Sequence, residues 1–105
     1  MLEALLEVAD RFDLGKLGTA LAPDFDVPPG WQTPGIEQGM LLLPDGTERA
    51  VALLLDLTHF KRADPVNRSG YRIIVRLPEL RAAEVPAGAR LLAPAALVRG
   101  LHGEK

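Results

Sequence analysis

His59 is the residue best supplied for chemistry in this chain, standing three residues after Asp56 and five before Asp64. An imidazole and two carboxylates can hold a divalent cation, or can make a general base with an acid to orient it. Alternation along a strand puts Asp56 and His59 on opposite faces unless a bulge intervenes. No H-x-H or H-E-x-x-H spacing accompanies them, and the second histidine, His102, is far away. The residues therefore predict a histidine that hydrogen-bonds at a strand end, with a metal-dependent enzyme built on Asp56, His59 and Asp64 as an alternative.

Other catalytic templates fail on residue supply. Ser69 is the single serine, and it precedes Gly70 without the G-x-S-x-G elbow that exposes a nucleophile. Asp24 and Asp26 are a carboxylate pair, but they stand in a proline-rich stretch poorly suited to rigid placement. The phosphate-cradling glycine patterns are missing, and with no cysteine there is neither a thiolate ligand nor a thiol nucleophile. The expectation is a protein with no catalytic residues and no cofactor.

Cations are better supplied. Lys61, Arg62 and Arg68 stand in one polar segment, and Arg72 and Arg76 share one face of the strand that follows. Five cations on adjoining surface can neutralise phosphates, which makes RNA or DNA binding a second alternative. Few aromatic residues interleave with them, so no platform for stacking bases is evident. Charge is also unevenly distributed along the chain. Residues 1–26 hold six acids and two bases, a net of −4, while residues 61–100 hold eight bases and three acids, a net of +5. The two ends are expected to attract each other, or else to leave a basic face for an anionic partner.

The elements that must position these groups are mostly extended. Tyr71 to Leu77 alternates, with Tyr71, Ile73, Val75 and Leu77 on one face and Arg72 and Arg76 on the other. Met40 to Leu43 runs into Pro44-Asp45-Gly46-Thr47, and Glu48 to Leu57 returns, which is a hairpin signature. Val51, Leu53, Leu55 and Leu57 share a face of the returning strand. Glu79 to Val85 is a short turn or helical stretch, and strands are expected at Arg90–Ala93 and Leu97–Arg99. At the N-terminus, Leu2, Leu5, Leu6, Ala9 and Phe12 recur at helical spacing, with Glu3, Glu7, Asp10 and Arg11 between them. This predicts an amphipathic helix over residues 2–13 that covers the sheet.

One domain accounts for the whole chain: a helical segment at 1–22, a Pro/Gly-rich connector at 23–38, a β-rich core at 39–99 and a fraying tail at 100–105. The fold class is α+β, mostly β, a small antiparallel partial barrel or sandwich with the N-terminal helix packed on it. A domain of this length buries about 65% of its unfolded surface, enough for a core without staples. The acidic N-terminus does not resemble a secretory signal, and no window approaches a membrane span, so a cytoplasmic location is expected.

Thr58-His59, then Gly70-Tyr71-Arg72-Ile73-Ile74-Val75-Arg76, then Pro86-Ala87-Gly88 resemble the C-terminal β-barrel of elongation factor Tu. That family has a His-Thr-Pro loop, a Gly-Tyr-Arg at the start of a strand ending in Arg, and a later Pro-Gly turn. Here Phe60 follows His59, and Leu77-Pro78 replaces the Thr-rich sequence that contacts tRNA. The resemblance implies a small barrel and does not carry over the tRNA contact. Good core patterning beside an empty catalytic inventory points to a non-enzymatic interaction or accessory module. It would bind a protein partner or a second copy of itself through Leu2, Leu5, Trp31, Phe60 and Arg72.

Overall fold

The computed structural model describes residues 1–59 and 71–102. In chain order its strands are β1 (Leu2–Glu7), β2 (Asp10–Asp13), β3 (Thr19–Asp26), β4 (Glu37–Leu42), β5 (Glu48–His59), β6 (Tyr71–Leu77) and β7 (Arg90–Pro94). One helix, α1 (Ala95–Leu101), follows β7, and 3-10 turns lie at Gly15–Leu17 and Ala82–Glu84. All pairings are antiparallel, and the order β1-β7-β4-β5-β6-β3-β2 describes a seven-stranded sheet curled into a half-barrel.

The curl follows from β5. Its first half pairs with β4 and its second half with β6, so one long strand belongs to both flanks of the sheet. The two outer strands, β1 and β2, are consecutive in the chain and meet at Val8-Ala9. There the Val8 amide donates to the Ala89 carbonyl, the Gly88 amide donates to the Val8 carbonyl, and the Ala9 amide donates to the Ala22 carbonyl, all at 2.8–2.9 Å. These bonds satisfy backbone groups that an open sheet edge leaves unpaired.

Alternation then fills the interior. Leu41, Leu53, Leu55, Ile73, Val75, Leu77 and Leu91 are fully buried, joined by Leu5 and Leu6 of β1, Val8 at the β1-β2 junction and Leu21 of β3. Burying each such side chain contributes about 1.5–3 kcal/mol. Thr19 is the one buried polar side chain among the described residues, and its hydroxyl donates to the Leu80 carbonyl at 2.8 Å. The hairpin, the strand at 71–77 and the strand at 90–93 stand where alternation puts them, with β7 running one residue further.

Several expectations are corrected. Residues 2–13 are not a helix but β1 and β2, and the chain's one described α-helix lies at the other end. The helical spacing arises from a register shift between Ala4 and Leu6, which turns both Leu5 and Leu6 inward. Leu2 and Phe12, from the supposed stripe, are exposed. The helical segment at 1–22 therefore becomes sheet, and the β-rich core extends well before residue 39. The connector at 23–38 shrinks at both ends, because Pro23–Asp26 belong to β3 and Glu37 opens β4. Pro23 is tolerated there because β3 shifts register between Leu21 and Phe25, where a missing amide breaks no ladder bond. Leu97–Arg99 is helix, not strand: Pro94 ends β7, and Val98 and Leu101 bury one side of a short turn of helix. The tail is likewise tied down at its start, with Leu101 buried and the His102 ring 3.0 Å from the Leu5 carbonyl and stacked on Phe25. No helix of the described residues is long and apolar enough to cross a membrane.

Candidate functional site

The outer face of the β5-β6-β3-β2 flank carries a groove of about 600 Å³. A solvated sheet face is expected to be polar. This one is not. Phe12 and Leu14 form one side, Ala22 and Pro23 continue it along β3, and Ile74 lies in the middle of β6. Phe12 is 53% exposed, a large aromatic surface left in water. The polar part of the lining is Asp24, Asp56 and Thr58.

Register fixes how these residues line up. Asp56 is paired directly with Ile74 across β5 and β6. On the other side of β6, Leu21 pairs with Val75 and Phe25 with Ile73, so the extra residues of the β3 bulge, Asp24 among them, fall opposite Ile74. An isoleucine flanked by two carboxylates thus runs across three strands. Along β6 the neighbours of Ile74 on the same face are Arg72 and Arg76.

Each arginine is clamped to one of these acids. Arg72 donates through Nε and Nη2 to the two oxygens of Asp24 at 3.2 and 3.0 Å, and it also pairs with Asp26. Hydrogen bonding to Asp24 raises the Arg72 guanidinium above its ordinary value, with desolvation opposing the shift. Arg76 donates to Asp56 through Nε at 2.6 Å and Nη2 at 3.4 Å, and its Nη1 reaches the Leu17 carbonyl at 2.8 Å. Planar guanidinium forks suit such bidentate pairing.

The same logic explains the charge imbalance between the chain's ends. Glu3 pairs with Arg99, Glu7 with Arg90, Asp13 with Arg81, and Asp24 and Asp26 with Arg72. The acidic start of the chain and its basic second half are neutralised against each other within the fold. Arg72 and Arg76, two of the five cations considered for nucleic acid, are engaged this way. Lys61, Arg62 and Arg68 lie outside the described residues.

Three surface carboxylates give the fold an acid limit. The Gly15 amide, then Arg81, hold Asp13 below its ordinary value of 3.8. The Arg81 amide, then Arg49, lower Glu84 from 4.5, and the Thr47 hydroxyl and amide lower Asp45 from 3.8. A depressed folded pKa adds stability that is fully present above the unfolded value and is lost as pH falls through the folded one. Urea midpoints are therefore expected to hold steady from neutral pH to about pH 5 and to fall below it. Asp13→Asn and Glu84→Gln should each flatten that fall. An unchanged acid slope in both variants would show that these contacts do not set it.

The remaining sequence candidates divide clearly. Leu5 is buried in the core and offers no contact surface, whereas Leu2 is exposed at the start of β1. Trp31 is half-buried against the core, and its ring approaches Gly100 of α1. Of the metal alternative, Asp56 is occupied by Arg76, while Asp64 and the side chain of His59 lie outside the described residues, as do Phe60 and Ser69. Among the described residues no three His, Asp or Glu side chains are grouped to hold a metal ion. Sequence reasoning missed the groove. Its one legible signal was Ile74, an apolar residue between two arginines on a face that should otherwise be wet. No protein-family model, curated protein or solved structure matches this chain.

Proposed function

We propose that this chain is a non-enzymatic protein-interaction module that receives an apolar side chain of a partner protein in the outer groove of β5-β6-β3-β2. The observation that carries this reading is the apolar row on a water-facing sheet surface: Phe12 and Leu14 beside Pro23 and Ile74. Apolar side chains that adjoin one another under a polar rim have the form of an interaction site, unlike apolar residues scattered singly over a surface. Rigid strands hold the groove walls, so binding requires little ordering of the receptor. The stretch that resembles the elongation factor Tu barrel supplies β6 and the end of β5, and in this reading it contributes Ile74 and Thr58 to the groove.

A photo-crosslinking amino acid at position 12, introduced in the producing cells, should join the chain to a discrete partner identifiable by mass spectrometry. In a reconstituted titration with that partner, Phe12→Ser is expected to weaken binding at least tenfold, about 1.4 kcal/mol. A crosslink to a second copy of the chain would assign the groove to self-association, with light scattering giving the stoichiometry. Unchanged affinity in Phe12→Ser would overturn the groove as the docking surface.

A further inference from the structure

We propose, resting on the groove reading above, that the partner segment is apolar at one position and basic on either side of it, an aliphatic or aromatic residue flanked by lysine or arginine. The argument is charge complementarity along the row Asp56, Ile74, Asp24. Both carboxylate side chains are 40% exposed, whereas the arginines clamped to them are 16% and 20% exposed. The cations of these pairs are covered and the anions face outward. Asp26, the third acid in the cluster, is 91% exposed. A carboxylate has about four lone-pair sites, so bidentate pairing with one arginine leaves acceptor capacity on the groove side. The lining therefore offers only acceptors and apolar surface to an incoming chain, apart from the Thr58 hydroxyl.

Spacing narrows the ligand further. Asp56 and Asp24 stand on strands either side of β6, two inter-strand spacings apart, or about 9.5 Å. An extended peptide advances about 3.3 Å per residue. Side chains of an extended peptide share a face only at every second position, so the apolar residue sits two positions from each cation. The two cations, four positions and about 13 Å apart, reach inward to the carboxylates on their long flexible side chains. A phosphate-bearing ligand meets the wrong sign of exposed charge here.

The test uses the full chain, labelled with nitrogen-15 and titrated with three blocked peptides. Each has leucine midway between two variable positions four residues apart, so that all three side chains share one face of the extended chain, and the variable positions are both lysine, glutamine or glutamate. The lysine peptide is expected to shift amides of β2, β3 and β6 and to bind at least tenfold tighter than the other two, with the advantage shrinking as salt rises. Asp56→Asn, which keeps an acceptor for Arg76, should lose several-fold of that affinity. Because the peptides alone vary the charge, the result stands even if a variant is unstable. Equal binding of all three peptides in the groove would overturn the basic requirement and leave the apolar docking reading intact. Tighter binding of the glutamate peptide, or no groove shifts with any peptide, would overturn the inference outright, and the position-12 crosslink would then decide the broader reading separately.

Discussion

Gly18→Ala is expected to destabilise the fold by about 3–5 kcal/mol, a large share of the stability of a domain this size. Two effects coincide there. Gly18 adopts φ 96°, ψ −139°, a region that only glycine enters freely. A Cβ at this position would also collide with the Leu77 carbonyl oxygen and lie 2.6 Å from the Pro78 Cα. Both are backbone atoms at the end of β6, so no side chain can swing aside to relieve the contact. The close approach is structural: Gly18 leads into Thr19, which pairs with Leu77 to begin the β3-β6 ladder. Gly15 is the internal control. It too has positive φ, at 65°, but nothing lies within 4 Å of its Cβ direction. Gly15→Ala should cost only about 1 kcal/mol, the conformational part alone. Thermal unfolding followed by circular dichroism separates the two, since each kcal/mol moves the midpoint by about 4–8 °C in a domain of this size. Equal midpoints for the two variants would refute the steric argument.

Gly18 also marks where the sequence stops being readable. Glycine after Leu14 and Leu17 reads as a helix ending, yet here it leads into a strand. The same confusion runs through the first 26 residues. A helix and a bulged strand both place apolar residues at i, i+3 and i+4, because a register shift adds one residue to a period of two. Leu2, Leu5 and Leu6 satisfy both patterns, and only pairing with β7 decides between them. From Met40 onward the strands are regular or punctuated by strong turn chemistry, so β4, β5, β6 and β7 were legible as elements, although β4 begins earlier, at Glu37, and β5 runs on to His59. The ion pairs were legible in aggregate: an acidic beginning and a basic second half had to be neutralised somewhere. Which acid meets which arginine depends on the curl of the sheet, and composition cannot encode it. The groove was the least visible feature, because Phe12 reads as part of a helical stripe until the strand faces are known. Ile74 alone broke its pattern, as the apolar member of an arginine face.

Leu53→Ala is the second large effect expected, at about 2–5 kcal/mol. Leu53 is fully buried at the centre of β5, where the strand passes from pairing with β4 to pairing with β6. Its side chain lies over Gly39 of β4, with Cδ2 only 2.7 Å from where a Cβ on that glycine would stand. The glycine and the leucine are thus a matched small–large pair, which makes a double-mutant cycle informative. Gly39→Ala alone should destabilise, because the new methyl meets both the Leu53 side chain and the Leu92 carbonyl oxygen. Leu53→Ala alone leaves a cavity above Gly39. Combined, the new methyl enters space that the leucine vacated, so the double variant should be less destabilised than the sum of the two by about 0.5–3 kcal/mol. Rescue should remain partial, because the Leu92 carbonyl belongs to β7 backbone and cannot withdraw without breaking the β4-β7 pairing. Leu54→Ala, on the partly exposed opposite face of the same strand, should cost markedly less than Leu53→Ala. Urea unfolding of the four variants and the parent chain measures all of these differences. Strict additivity of the Gly39 and Leu53 substitutions would mean that the leucine does not occupy the space above the glycine, and the packing at the centre of the sheet would have to be redrawn.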